Sequence, residues 1–163
     1  MLNPGDIIFV HGNGGIVDDA IQVGEVILDK TPYAKNYVHC AVYIGGNTVM
    51  EAQGLRKSGP GNIGDYTGMY DIGHVKHLSN MRERLFINAL YKENGLPYDW
   101  VGIFWLAVKV LTGYDKKYRE HRTRYCSKYV GWALKQAGIH VDDETPESLA
   151  LDPRIELEKG STR

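Results

Sequence analysis

Val38-His39-Cys40-Ala41-Val42-Tyr43-Ile44-Gly45-Gly46-Asn47-Thr48-Val49-Met50-Glu51-Ala52 is the stretch that decides the fold. Its arms, Val38 to Ile44 and Thr48 to Ala52, read as two strands of a hairpin, and Gly46 or Asn47 can supply the positive φ that a tight turn needs. Turn length sets the register, and a one-residue slip moves every side chain to the other face. A two-residue loop at Gly46-Asn47 pairs Ile44 with Val49 and puts His39 and Glu51 on opposite faces. A three-residue loop, Gly45-Gly46-Asn47, pairs Ile44 with Thr48 and Ala41 with Glu51. His39 and Glu51 then share a face as diagonal neighbours. The sequence permits both. In the second case a carboxylate beside an imidazole fixes its tautomer and stabilises its protonated form.

Around this hairpin, Asp6 to Val10 reads as a first strand after a Pro4-Gly5 turn. His11-Gly12-Asn13-Gly14-Gly15 is a loop; it lacks the glycine spacing and the Gly-Lys-Ser/Thr ending of a phosphate cradle. Ile16, Ala20, Val23 and Ile27 mark one face of a helix from Ile16 to Leu28. Arg56 to Gly68 is glycine-rich and polar, and is expected to be a mobile loop. Asp71 to Leu78 is a further strand. Arg82 to Lys92 is helical, with Ser79 or Asn80 as cap and Gly95-Leu96-Pro97 as stop. A helix is expected from about Asp99 to Leu111, and another from Tyr125 to Ala137, ended by Gly138. After Thr145-Pro146 little regular pattern is visible, and the chain is expected to fray from about Glu156. Strands come early and helices mostly late, which predicts an α+β domain with an antiparallel sheet and helices to one side.

The chain has 163 residues, enough for one domain, with 19 basic and 20 acidic residues and a net charge of -1. That balance does not support a dedicated nucleic-acid binder. No signal peptide is visible at Met1 to Asp6, so a cytoplasmic protein is the default expectation. The longest apolar stretch, Val101 to Leu111, contains Lys109 and is too short to span a bilayer. The two cysteines, Cys40 and Cys126, are expected to be reduced thiols.

Cys126 lies on the apolar stripe of its helix with Val130, Ala133, Leu134 and Ala137, so it is aimed at whatever the helix packs on. It also sits in the first turn, where unpaired amides and the positive dipole end favour a thiolate. The same amides can donate to a developing oxyanion. The blander readings are a small buried hydrophobe for Cys126, a satisfied strand residue for His39 and a solvent-facing one for Glu51.

Pro4-Gly5-Asp6-Ile7-Ile8-Phe9, Val38-His39-Cys40-Ala41-Val42-Tyr43-Ile44-Gly45, Glu51-Ala52 and Tyr125-Cys126-Ser127-Lys128-Tyr129-Val130 occur in that order. Together they resemble the permuted NlpC-type, papain-like cysteine hydrolases, most closely the YiiX-like branch. The resemblance runs from Pro4 to about Pro153 and includes Pro97-Tyr98-Asp99-Trp100 and Thr145-Pro146. It implies a circularly permuted papain-like fold with the nucleophile at a helix N-terminus. It also implies a triad of Cys126 as nucleophile, His39 as base and Glu51 as orienting residue. The lecithin–retinol acyltransferase-like cousins usually carry a second histidine where this chain has Glu51, and their membrane-anchoring segment is not evident. The implied reaction is attack at an amide or ester carbonyl through a thioester, with no metal or cofactor.

These readings leave three functions open. The first is an amidase or peptidase, with cell-wall peptides as the substrate class that its NlpC relatives suggest. The second is a lipid acyl hydrolase or acyltransferase with the same triad. The third is a binding module without turnover. Tyr125, next to the nucleophile, is a candidate for substrate contact. Cys40 is expected to point away from His39 into the core rather than to pair with Cys126. His74 and His77 face opposite ways on a strand and make a poor metal pair. Lys116, Lys117, Arg119, Arg122 and Arg124 are either a solvated run or a basic border favouring an anionic substrate. Trp100, Phe104, Trp105 and Val108 have core spacing.

Overall fold

The hairpin forms, and it reaches its register by a route the sequence does not display. In the computed structural model, β1 is Ile7–His11, β2 is Tyr37–Gly45 and β3 is Thr48–Glu51. Gly45 pairs with Thr48, so the turn is the two-residue Gly46-Asn47, with Gly46 at φ 61°. Tyr43, not Ile44, then pairs with Val49, and Val42 with Met50. Ile44 is thus an extra residue on β2, a bulge that undoes the slip a tight turn would impose. Ala41 comes to lie opposite Glu51, and His39 and Glu51 share a face.

The structure describes residues 1–11, 37–54, 56–66, 68, 70–99 and 124–160. Within them the fold is α+β, with one six-stranded sheet in the order β4-β3-β2-β1-β5-β6. Its remaining strands are β4 (Gly59–Asn62), β5 (Tyr70–Val75) and β6 (Ile155–Glu158), and every neighbouring pair is antiparallel. The helices are α1 (Asn80–Lys92), α2 (Cys126–Gln136) and α3 (Pro146–Ala150). The expected helices from Ile16 to Leu28 and from Asp99 to Leu111, and the loop from Gly12 on, lie outside the described residues, apart from Asp99.

Alternation along the central strands builds two apolar layers. Ile7, Phe9, Cys40, Val42 and Met50 face Phe86, Ala89 and Leu90 of α1 and Tyr129, Val130, Ala133 and Leu134 of α2. Leu149 and Ala150 of α3 join the same core. Ile8, Val10, Ala41 and Val49 point the other way and are covered by Tyr66, with Ile63 and Tyr70 beside it. The three α-helices therefore pack on one face, as the order of elements predicts. Each fully buried Leu, Ile or Phe in that layer contributes roughly 1.5–3 kcal/mol of transfer free energy. Among the described residues no helix is long and apolar enough to cross a membrane.

Helix ends follow local chemistry. Ser79 caps α1 by accepting from the Arg82 amide, and Gly138, at φ 74°, follows the last turn of α2. Two expectations are overturned. Arg56 to Gly68 is not simply a loop: Gly59–Asn62 is strand β4 on β3, and Ile63–Tyr66 is a 3-10 turn. Gly-Pro-Gly-Asn has no strand propensity of its own, and the open edge of β3 imposes the pairing. The tail also has structure. Thr145 and Ser148 form a capping box that starts α3, and Ile155–Glu158 adds to β5 as the sheet's edge.

That edge strand is held by an ionic clamp. His74 of β5 bonds Asp6 through Nδ1 at 2.8 Å and Glu158 of β6 through Nε2 at 2.9 Å. The bonds to Glu158 and Asp6 raise the His74 pKa above its ordinary value, and the bond to His74 lowers that of Glu158. A raised histidine stabilises below its unfolded pKa of about 6.5, and the contribution fades as pH rises through the folded value. A lowered carboxyl stabilises above its unfolded value and is lost as pH falls through the folded one. Hydrogen exchange, corrected for intrinsic rates, is therefore expected to find the β6 amides best protected between those limits and less so on the alkaline side. His74→Gln is expected to remove that alkaline loss; a wild type whose β6 protection ignores pH would contradict the clamp.

Candidate active site

Strand β3 stops at Glu51, opposite Ala41, so among the described residues the first half of β2 has no strand partner on that side. Tyr43 exchanges backbone hydrogen bonds with Gly5 and Asp6 on the β1 side. Odd residues of β2 thus aim their backbone groups at β1, and even residues aim theirs at the β3 side. The Cys40 N–H consequently faces the vacated edge. The first turn of α2 is seated there because its apolar stripe, from Cys126 through Val130 to Leu134, is buried against β2 and its neighbours. Tyr125, extended at φ −90° and ψ 174°, precedes the helix and makes no side-chain cap hydrogen bond, and the positive end of the helix dipole lies in the first turn with Cys126.

At this edge the sulfur meets groups from both faces of the sheet. From the side of Tyr66 it meets His39, close enough that each side chain shifts the titration of the other. From the helix side it meets the thiol of Cys40. His39 bonds Glu51 Oε2 through Nε2 at 2.8 Å, which leaves Nδ1 for Cys126. Cys126, His39 and Glu51 are 4%, 3% and 2% exposed. The structure therefore brings together all three residues singled out from the sequence.

Glu51 is saturated with donors. Oε2 also accepts from the Tyr66 hydroxyl at 2.5 Å, and Oε1 from Arg56 Nη2 at 2.5 Å. The Tyr66 ring lies 5.7 Å from the His39 ring, centroid to centroid. Burial pushes the Glu51 carboxyl up, but His39, Tyr66 and Arg56 outweigh it and hold the pKa below its ordinary value. Burial likewise pushes His39 down. Its hydrogen bonds to Cys126 and Glu51, and the charges of both, raise it to about 10. The thiol of Cys126 is lowered well below its usual value, first by the Cys40 hydrogen bond; burial opposes this and His39 reinforces it. Thiolate and imidazolium are thus the favoured charge states.

No family model matches this chain, and no curated protein matches it. The chemistry of the site has to be read from its own residues.

Tyr66 and Arg56 escape sequence reasoning, because both lie in the stretch expected to be a loop. Gly61 of β4 is a third such residue. A Cβ there would overlap Glu51 Oε1 and lie 2.9 Å from its carboxyl carbon, so only glycine leaves room for the carboxylate. Cys40 does face the helix side, as alternation predicts, and both thiols are free; alternation does not predict its contact with Cys126. Tyr125 is buried, and its hydroxyl donates to the Glu144 carbonyl at 3.0 Å. Arg124 makes two bonds to Glu93, at 2.5 and 3.1 Å, and lies over Trp132. Lys116, Lys117, Arg119 and Arg122, like Trp100, Phe104, Trp105 and Val108, lie outside the described residues. Among the described residues no group of three or more His, Cys, Asp or Glu is placed to hold a metal ion.

Gly61→Ala is expected to destabilise the protein by about 1–3 kcal/mol, the usual range for overpacking. It should also displace Glu51 from His39 and slow alkylation of Cys126. Denaturant melts and the alkylation rate check this; unchanged values in both would mean that Glu51 is not confined as described.

Proposed function

We propose that this chain is a cysteine hydrolase that cleaves an amide bond, with Cys126 as nucleophile, His39 as acid and base, and Glu51 as orienting carboxylate. The observation that carries it is His39 held between the Cys126 sulfur and the Glu51 carboxylate, all three buried. Burial strengthens each electrostatic contact, and a core position needs no such charges for stability. The permuted papain-like fold of the NlpC type, in its YiiX-like form, is part of this reading. The antiparallel sheet with a helix that begins at the cysteine supports it.

The reaction begins with attack of the Cys126 thiolate on the substrate carbonyl carbon. The resulting oxyanion is met by the backbone amide of Cys126 at the start of α2. His39 gives its Nδ1 proton to the leaving amine as the C–N bond breaks, and a thioester remains on Cys126. The neutral imidazole then takes a proton from water, whose oxygen attacks the thioester. Acid is released, and the thiolate–imidazolium pair is restored. Glu51, fixed by Tyr66 and Arg56, keeps Nε2 protonated and facing away from the sulfur throughout. The same steps serve an ester or a different acyl acceptor, as in a lipid acyl hydrolase or acyltransferase.

A second reading is favoured by one observation: Cys126 is 4% exposed, as a binding module without turnover would have it. Labelling with a panel of amide and ester acyl donors separates the two. The hydrolase reading expects acylation at Cys126, none in Cys126→Ala, and a loss of about 10²–10⁴-fold in His39→Gln, the usual worth of a general acid and base. A folded wild type that takes no acyl group from any donor would leave the binding module.

A further inference from the structure

Helix α2 carries Cys126 in its first turn, yet no side-chain cap at Tyr125 fixes where that turn begins. The hold comes from the residue before it. Arg124 donates twice to Glu93, Nε to Oε2 at 2.5 Å and Nη2 to Oε1 at 3.1 Å. This is the two-pronged match that a guanidinium makes with a carboxylate and a single ammonium cannot. The pair is largely withdrawn from water, with side chains 11% and 15% exposed. The guanidinium lies 4.9 Å from the centre of the Trp132 ring of α2, and the Arg124 carbonyl accepts from the Asp99 amide.

Glu93 is itself anchored. It ends α1, and its carbonyl accepts from the hydroxyl of the buried Ser58. The same hydroxyl accepts from the Leu96 amide at 3.0 Å. The Ser58 amide donates to the Leu96 carbonyl at 2.9 Å, and the Gly95 amide to the Ser58 carbonyl at 2.7 Å. Ser58 leads into β4, whose first residue, Gly59, pairs with Glu51. A path of backbone and hydrogen bonds therefore runs around the site, from the strand beside Glu51 through Ser58, Glu93 and Arg124 to Cys126.

We propose that Arg124 and Glu93 are positioning residues: their ion pair ties the first turn of α2 to the strands that hold Glu51, and so sets the Cys126 sulfur against His39. The inference rests on Cys126 being the nucleophile, and both residues act through it. Stability alone explains the pair poorly, because two charges taken out of water regain little beyond their desolvation cost.

The test follows the Cys126 peptide of the full chain by mass spectrometry, measuring acylation by the acyl-donor panel and iodoacetamide alkylation against pH. Wild type is compared with Arg124→Lys, Arg124→Gln and Glu93→Gln, each also combined with His39→Gln, and melting temperatures are recorded beside the rates. A reacting group misplaced by about 1 Å loses about 10²-fold in rate. Arg124→Gln and Glu93→Gln are each expected to slow acylation at saturating donor by about that factor, and Arg124→Lys, which keeps the charge but not the fork, by less. His39→Gln is expected to slow alkylation below neutral pH in the wild type and to add little in Arg124→Gln, where the sulfur no longer sits against the imidazole. A pair that only stabilises would lower the melting temperature and leave the donor-saturated rate and the His39 effect alone. That result overturns the inference, as does a failure of every variant to fold, Arg124→Lys included. Wild type that accepts acyl groups at a rate indifferent to both positions sinks the inference and spares the hydrolase reading. A His39 effect on alkylation that depends on Arg124, in a protein that accepts no acyl group, sinks the hydrolase reading and spares the positioning of the sulfur.

Discussion

The place where β3 ends governs the rest of the site. A strand one residue longer would pair with Cys40 and close the edge of β2 on which α2 is seated. Because β3 stops at Glu51, it does not continue along the Cys40 side of that edge, and the first turn of α2, which begins at Cys126, packs on the same strand. The bulge at Ile44 is the companion constraint. Without that extra residue, the tight turn at Gly46-Asn47 would put Glu51 on the helix side of the sheet and His39 on the other. One inserted residue therefore decides whether an imidazole and a carboxylate meet. The sulfur, being at the edge, is reached from both faces.

From the sulfur toward solvent runs a line of alternating charge: the Cys126 thiolate, the His39 imidazolium, the Glu51 carboxylate and the Arg56 guanidinium. The first three are buried, and only the Arg56 side chain, 48% exposed, reaches solvent. Such a line is costly to bury. Replacing a buried ion pair by packed apolar residues is often neutral or stabilising, whereas removing one partner costs about 3–5 kcal/mol. The arrangement is therefore poorly explained by stability and well explained by chemistry that needs an ionised sulfur next to a proton donor. Tyr66 and the missing Cβ of Gly61 serve the same end, since they fix Glu51 where His39 can use it.

Much of this is legible in the sequence. The alternation in β1 and β2, the Gly-Gly-Asn turn, and the periodic stripe of α2 with Cys126 in its first turn come from side-chain period and local propensity. The facing of His39 and Glu51 stays open at that level, because parity depends on a bulge and Ile44 looks like any other strand residue. Strand β4 is invisible there, because Gly59-Pro60-Gly61-Asn62 becomes a strand only by pairing with β3. Strand β6 does leave a trace: Ile155 and Leu157 alternate with Glu156 and Glu158, a four-residue signal lost in a polar tail. Tyr66 and Arg56 carry no local mark of their task. Alternation places Cys40 on the correct face, yet it does not reveal that the strand edge lets one sulfur touch both faces.

The central claim is that His39 is a cation paired with an anionic sulfur. Nitrogen NMR of histidine-labelled protein tests it most directly, with the His39 signal assigned by its loss in His39→Gln. Both ring nitrogens are expected to stay protonated across neutral pH and to titrate only near 10. In Cys126→Ala, where the sulfur's hydrogen bond and charge are gone, the titration should fall. A His39 ring that is already a single neutral tautomer at about pH 7 in the wild type, a little above the ordinary histidine pKa, would contradict the account.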